Sequence, residues 1–163
     1  MELRFLDLSP DFDRGAFDCE VESLNTFLKQ YALQNQKKQE SVTTVMVDTQ
    51  HPRAILGYYS ASMQHIEYGR LTQEQAKGLS KYRPAPAVLI GRLAVDKSVK
   101  GQGLGSQLLR HALLKAKRIS VQVGCCFVLV DALEEATAFY TRYGFKPLRD
   151  EPRSLVIPVN SIH

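Results

Sequence analysis

The chain has no tryptophan, only three cysteines and four histidines in 163 residues. An odd cysteine count leaves at least one thiol outside any intrachain disulfide, and Cys19, Cys125 and Cys126 stand at no metal-ligand spacing. Adjacent Cys125 and Cys126 inside an apolar run read as buried thiols, which predicts a reducing cytoplasm. His51, His65, His111 and His163 are scattered, so no metal is predicted; His111 falls on the polar face of a helix and reads as solvated. Long apolar runs are missing too. None approaches the ~20 residues that span a bilayer, and Met1-Glu2-Leu3-Arg4-Phe5 lacks signal-peptide architecture. These absences predict a soluble, cytoplasmic protein with no membrane partner.

Apolar residues make up 44% and charged residues 23%, the balance of a globular chain rather than a disordered one. The length suits one domain over residues 1–163 with a substantial core. A formal charge of +4 is compatible with a nucleic-acid or phosphorylated partner without requiring one.

The chain is organised around Val88 to Ser106. An apolar run of strand type ends at Val95; after a polar turn come Gly101, Gly103 and Gly105, then a helix. Leu104, Leu108, Ala112 and Ala116, with Leu109 and Leu113 beside them, form one apolar stripe that predicts a helix from about 104 to 118. Strand, glycine turn and helix make an anion site. Glycine lets the backbone approach a ligand with no Cβ in the way, and the first helical amides lack internal partners at the positive end of the dipole. No lysine follows the last glycine, so a P-loop is excluded. The dinucleotide fingerprint fails on spacing and on its place past the midpoint.

Elsewhere the patterns predict a strand at Leu3–Phe5 and a helix over about 21–36, capped by Asp18 or Ser23, with Val21, Leu24, Phe27, Leu28 and Tyr31 on one face. Strands follow at 41–47 and 53–63, then a helix over 72–81 interrupted by Gly78 and an extended segment over 82–86. Cys125–Val130 is uniformly apolar and reads as a central strand. A helix over 133–143 capped by Gly144, and strands at 145–148 and 154–159, complete the chain. The order implies an α/β fold, a mixed sheet with helices on both sides and one right-handed crossover.

The segment Lys100 to Ser106 resembles the coenzyme A signature of the GNAT family of N-acetyltransferases, Q/R-x-x-G-x-G/A, with Lys100 where glutamine or arginine is usual. Asp131 to Phe145, with Ala136, Phe139, Tyr140, Gly144 and Phe145, resembles the family's A-x-x-F-Y-x-x-x-G-F element. Phe17-Asp18-Cys19, Leu24 to Leu28, Ser41 to Val45, Ile55 to Tyr59 and Gly91 to Asp96 resemble its toxin branch in bacterial toxin–antitoxin pairs. Glu20 stands where that branch often carries glycine. The resemblance implies the GNAT fold, with acetyl-CoA as cosubstrate held by Leu93, Ala94, Val95, Lys100, Gly101, Gln102, Gly103, Leu104, Gly105, Ser106 and Phe139. The position of Lys100 works largely through its backbone. The resemblance also implies that Tyr140 lies beside the coenzyme thiol as the catalytic acid.

The implied function is acetylation of the α-amino group of aminoacyl-tRNA, with neutralisation by a ribbon-helix-helix antitoxin and assembly as a homodimer. Arg92, a charge on an apolar strand, is read either as edge-facing or paired, or as part of the acceptor groove. Lys77, Lys81 and Arg83, with Arg70 in the same stretch, are candidate tRNA contacts. No glutamate or histidine is placed as a base. That suits an α-amino group, which titrates at about 7.7–8.0, better than a lysine near ~10.4. Two other readings remain open at this point: acetylation of a small amine or protein N-terminus, and a coenzyme A-binding corepressor without turnover.

Overall fold

The computed structural model describes residues 1–163. Seven strands form one mixed sheet in the order β1-β2-β3-β4-β5-β7-β6: β1 (Leu3–Asp7), β2 (Val42–Asp48), β3 (Gly57–Ile66), β4 (Ala85–Val95), β5 (Phe127–Asp131), β6 (Lys146–Leu148) and β7 (Glu151–Pro158). The helices are α1 (Glu22–Thr26), α2 (Ala32–Lys37), α3 (Gln73–Ala76), α4 (Leu104–Gln122) and α5 (Thr137–Arg142). No helix is long and apolar enough to cross a membrane. Close contacts gather the chain into two compact units, Met1–Ser62 with Gly91–Ala112 and Met63–Ile90 with Leu113–His163.

In the first unit, β2 is paired antiparallel to β1 and to β3. Its β-branched residues suit this place: Thr43 to Val47 are all buried. Phe17, Leu28, Val45, Ile55 and Tyr58 meet in one core with Ala94 from the end of β4. Each large side chain removed from water there contributes about 1.5–3 kcal/mol. Gly57 opens β3 because nothing larger fits. A Cβ at Gly57 would lie 2.7 Å from Leu108 Cδ1 and 3.0 Å from the Ala94 carbonyl oxygen.

The helix expected over 21–36 is present but interrupted. Phe27–Tyr31 form a π-helical turn between α1 and α2, with the Ala32 amide bonded to the Phe27 carbonyl. One extra residue in a turn rotates the following face by about 100°. Phe27 and Leu28 therefore face the core, while Tyr31, expected on the same stripe, is half-exposed. Neither expected cap operates. Val21 precedes α1 with no side-chain bond, because Asp18 turns to the Glu20 amide (2.8 Å) and to Asn25 (3.0 Å).

In the second unit, the crossover strands β4 and β5 are parallel, registered from Ala87↔Phe127 to Ile90↔Val130. β5 pairs antiparallel with β7 on its other side. That explains its uniform apolarity: Phe127 to Val130 are all buried. Two helical expectations change. The 72–81 segment makes only α3, closed at its start by a Thr72–Gln75 capping box, and ended before Gly78, whose φ is +80°. The 133–143 segment opens as a 3-10 turn, Glu134–Ala136, before α5. Residues 81–83 form a turn rather than the expected extended run, and β4 begins at Ala85. The glycine-loop helix runs four residues beyond Arg118, to Gln122.

Candidate active site

β4 outlasts its pairing with β5. The ladder ends at Ile90, and the strand continues through Arg92 to Leu93, Ala94 and Val95. Asp96 then turns the chain, its carboxylate accepting from the Ser98 amide (3.0 Å) and hydroxyl (2.6 Å). Its other oxygen accepts the Asp18 amide at 2.8 Å, and the Lys97 amide donates to the Asp18 carbonyl at 2.8 Å. Lys97 Nζ lies 3.1 Å from the Asp18 carboxylate. The Glu20 amide first, then Asn25 and Lys97, hold the Asp18 carboxyl down to about 2. It is therefore ionised, and this tie to the 17–20 loop intact, at any pH above the ordinary carboxylate range.

The glycine loop follows. Gly101 and Gly103 have φ of +79° and +77°, the left-handed region that a Cβ disfavours. A Cβ added at either would meet no atom within 4 Å, so the face of the loop is open. α4 begins at Leu104 with no acidic residue in its first turn. Its leading amides stand at the positive end of the helix dipole. The Leu104, Leu108, Ala112 and Ala116 stripe is buried as the spacing required, so the helix start is anchored from behind.

Lys100 has a side-chain role on the chain itself, beside the backbone role expected of its position. Its ammonium donates to the Cys19 carbonyl (3.0 Å) and pairs with Glu20 Oε1 (3.1 Å). Glu20 itself sits at φ +68°. The two positions at which the chain leaves the family pattern are thus partners, 80 residues apart in sequence. The pair is largely exposed, and such pairs contribute about 0.2–1 kcal/mol. A non-glycine residue in the left-handed region costs about 1–2 kcal/mol. Glu20→Gly should therefore leave the urea midpoint unchanged or raise it slightly. A loss of about 2 kcal/mol or more would mean that the pair is a stability device.

Arg92 is neither paired nor merely edge-facing. Its guanidinium carbon lies 3.9 Å from the centre of the Phe27 ring on the π-helical turn. It belongs to none of the chain's ion pairs.

In the second unit, α5 presents Tyr140 between Phe139 and Phe145, with ring centres 5.1 and 5.5 Å away. Gly144, at φ +96°, lets the chain turn back, and the Phe145 amide bonds to the Tyr140 carbonyl. The Tyr140 residue is only 6% exposed. Its hydroxyl has no hydrogen-bond partner yet is not sealed among the buried unpaired atoms. Burial pushes the phenol up to about 12. Tyr140 is therefore a protonated donor across the neutral range, with no acceptor on the chain competing for it.

The remaining candidates sort by their contacts. Arg70 makes a bidentate pair with Glu151 (3.0 and 2.9 Å), which removes it from the set of free cations. Lys77, Lys81 and Arg83 make no ion pair, and Lys81 lies 5.5 Å from the centre of the Tyr82 ring. His111 is not solvated. Its Nδ1 is 2.8 Å from the Tyr59 hydroxyl and its ring stacks on Phe5 at 4.3 Å. A register between β1, β3 and α4 brings these three together, and no local pattern announces it. Cys19 is buried, but Cys125 and Cys126 are only partly so; desolvation pushes all three thiols up.

Residues 39–147 match the Acetyltransferase (GNAT) domain family. A tRNA-acetylating toxin of Mycobacterium tuberculosis is 32% identical over 150 residues, covering 89% of this chain and 85% of that protein. A tyrosine-to-phenylalanine mutant of KacT superposes with a TM-score of 0.90 at 37% identity, covering 99% of this chain and 98% of that one. AtaT complexed with acetyl-methionyl-tRNAfMet gives 0.90 at 32% identity, covering 99% and 97%. AtaT bound to the C-terminus of its antitoxin AtaR and acetyl-CoA gives 0.85 at 30% identity, covering 99% and 96%. With the domain match spanning both the glycine loop and Tyr140, the chain belongs to the GNAT family of acetyltransferases.

Proposed function

We propose that this protein is a toxin that moves the acetyl group of acetyl-CoA to the α-amino group of aminoacyl-tRNA, blocking translation. The observation that carries this reading is the likeness, over 99% of the chain, to AtaT complexed with acetyl-methionyl-tRNAfMet. The chain's chemistry agrees with it. The glycine loop from Lys100 through Gly101, Gln102, Gly103, Leu104 and Gly105 to Ser106, open at Gly101 and Gly103, offers amides to a pyrophosphate. Main-chain groups of Leu93, Ala94 and Val95, on the stretch of β4 beyond its ladder with β5, suit the amide-bearing pantetheine arm, and one of those amides suits the developing oxyanion. Phe139 supplies an apolar surface beside Tyr140.

The amine nitrogen attacks the thioester carbonyl, the C–N bond forms and the C–S bond breaks. The sulfur takes the Tyr140 proton, and the phenolate regains one from the nitrogen through water. With the Tyr140 phenol at about 12 and a thiol at ~8.5, transfer to sulfur alone is uphill. The hydroxyl therefore first holds the departing sulfur by a hydrogen bond, and the nitrogen's proton reaching the phenol oxygen drives the relay. An α-amino acceptor is partly neutral already and needs no base from the protein.

Arg92 is assigned to the acceptor end, and Lys77, Lys81 and Arg83 to the phosphate backbone. We further propose a single functional domain over 1–163, a cytoplasmic homodimer, and restraint by an antitoxin of ribbon-helix-helix type; the AtaT–AtaR complex supports an antitoxin partner.

The test uses labelled acetyl-CoA with total aminoacylated tRNA and, in parallel, with deacylated tRNA. Label on the first alone supports the reading. No label on either, with transfer to polyamines or peptide N-termini, replaces it with the small-amine reading. No transfer to anything, with coenzyme bound, leaves a non-catalytic module.

A further inference from the structure

Arg92, Phe27 and Tyr31 belong to one cleft of about 590 Å³, which Glu22, Ser23, Thr26 and Asn35 complete. That is the size of a site for a small organic group. Its construction is unusual in three respects. The π-helical turn sets Phe27 into the core and Tyr31 half-exposed at the rim. Arg92 holds its guanidinium carbon 3.9 Å from the centre of the Phe27 ring and takes part in no ion pair, so its charge is left unneutralised. Glu22 shares the cleft but forms no ion pair with it. The cleft therefore holds a planar cation, an accessible aromatic face and several hydrogen-bonding side chains. That is the chemistry that binds an unpaired nucleotide: a π-face for the base, a cation for its phosphate, and polar groups for its edge.

We infer that this cleft seats the terminal adenosine of the acceptor end, its base stacked on Tyr31 and its phosphate on Arg92. The inference rests on the proposed tRNA function and deepens it. Arg92 immediately precedes Leu93–Val95 on β4. A phosphate held at Arg92 thus sets the adjoining ribose, with its aminoacyl group, beside the strand assigned to the coenzyme. The π turn is then a specificity device. A regular α-helix would have turned Tyr31 with Phe27 toward the core and left the guanidinium no stacking companion for a base.

The experiment uses aminoacyl-tRNA whose terminal adenine is replaced by fluorescent 2-aminopurine, titrated with the full-length protein. Stacking on Tyr31 should quench the emission. Tyr31→Leu should abolish the quench and raise KM for aminoacyl-tRNA by about 5- to 100-fold, the range that base–aromatic stacking covers. Its kcat and its KM for acetyl-CoA should stay unchanged. Tyr31→Trp, which keeps a stacking face, should restore both quench and KM. Acetylation of tRNA by the wild type without any quench, or Tyr31→Leu with a wild-type KM, overturns the cleft assignment and leaves the tRNA reading standing. Failure of the wild type to acetylate any aminoacyl-tRNA overturns both.

Discussion

Tyr140→Phe should lower kcat by about 10²–10⁴, the usual worth of a positioned acid, while acetyl-CoA binds as before. The substitution removes one oxygen and keeps the ring between Phe139 and Phe145, so packing around α5 is retained. The hydroxyl has no partner on the chain, so its removal orphans no other group. What is lost, in the proposed mechanism, is the donor for the departing sulfur. The pH dependence separates this role from others. Burial raises the Tyr140 phenol to about 12, so its protonated, active form persists as pH rises through the whole neutral and mildly alkaline range. kcat/KM should therefore climb as the acceptor amine loses its proton near ~7.7–8.0 and then stay level to about pH 10. A descending limb between ~8 and ~10 would assign the acid to another group. Wild-type turnover in Tyr140→Phe would mean that solvent protonates the thiolate.

Gly103→Glu should abolish acetyl-CoA binding, by at least about 100-fold in Kd, with the fold preserved. At φ +77° a side chain strains the backbone by about 1–2 kcal/mol, a fraction of the ~5–15 kcal/mol that keeps a domain folded. No protein atom lies within 4 Å of the new Cβ, so the side chain enters the open space of the loop rather than the core. There it sets a carboxylate against the amides that would face the pyrophosphate. Gly103→Asn is the control, since asparagine tolerates the left-handed region and carries no charge. It should bind more weakly than wild type but far better than the glutamate variant. Calorimetry reads both, and undiminished affinity in Gly103→Glu would remove this loop from the coenzyme site.

The parts of this molecule that a single sequence discloses are those written within one turn or one strand. The α4 stripe, the glycine spacing after Val95, the β-branched β2 and the uniformly apolar β5 are local patterns, and each element forms on its pattern with ends shifted by up to four residues. The F-Y-x-x-x-G-F element places Tyr140 for the same reason. What was hidden depends on register between distant elements. Lys100 meets Glu20, His111 meets Tyr59 and Phe5, and Arg92 meets Phe27, each pair at least 50 residues apart. The π turn was hidden differently. Its apolar residues satisfy a 3.6-residue period well enough, and only the burial of Phe27 and Leu28 against the exposure of Tyr31 reveals the extra residue. α3 fell short because Gly78 does more than interrupt it. At φ +80° it ends any helix begun at Thr72.

The central claim is that the acetyl group lands on the α-amino group of an aminoacyl-tRNA. The most direct measurement is mass spectrometry of ribonuclease-digested tRNA after reaction with acetyl-CoA. The claim predicts a terminal adenosine whose esterified amino acid is heavier by one acetyl group, released by mild base as the N-acetyl amino acid, and absent with Tyr140→Phe. An acetyl group on an interior nucleoside, on the ribose of deacylated tRNA, or nowhere on the RNA would contradict it.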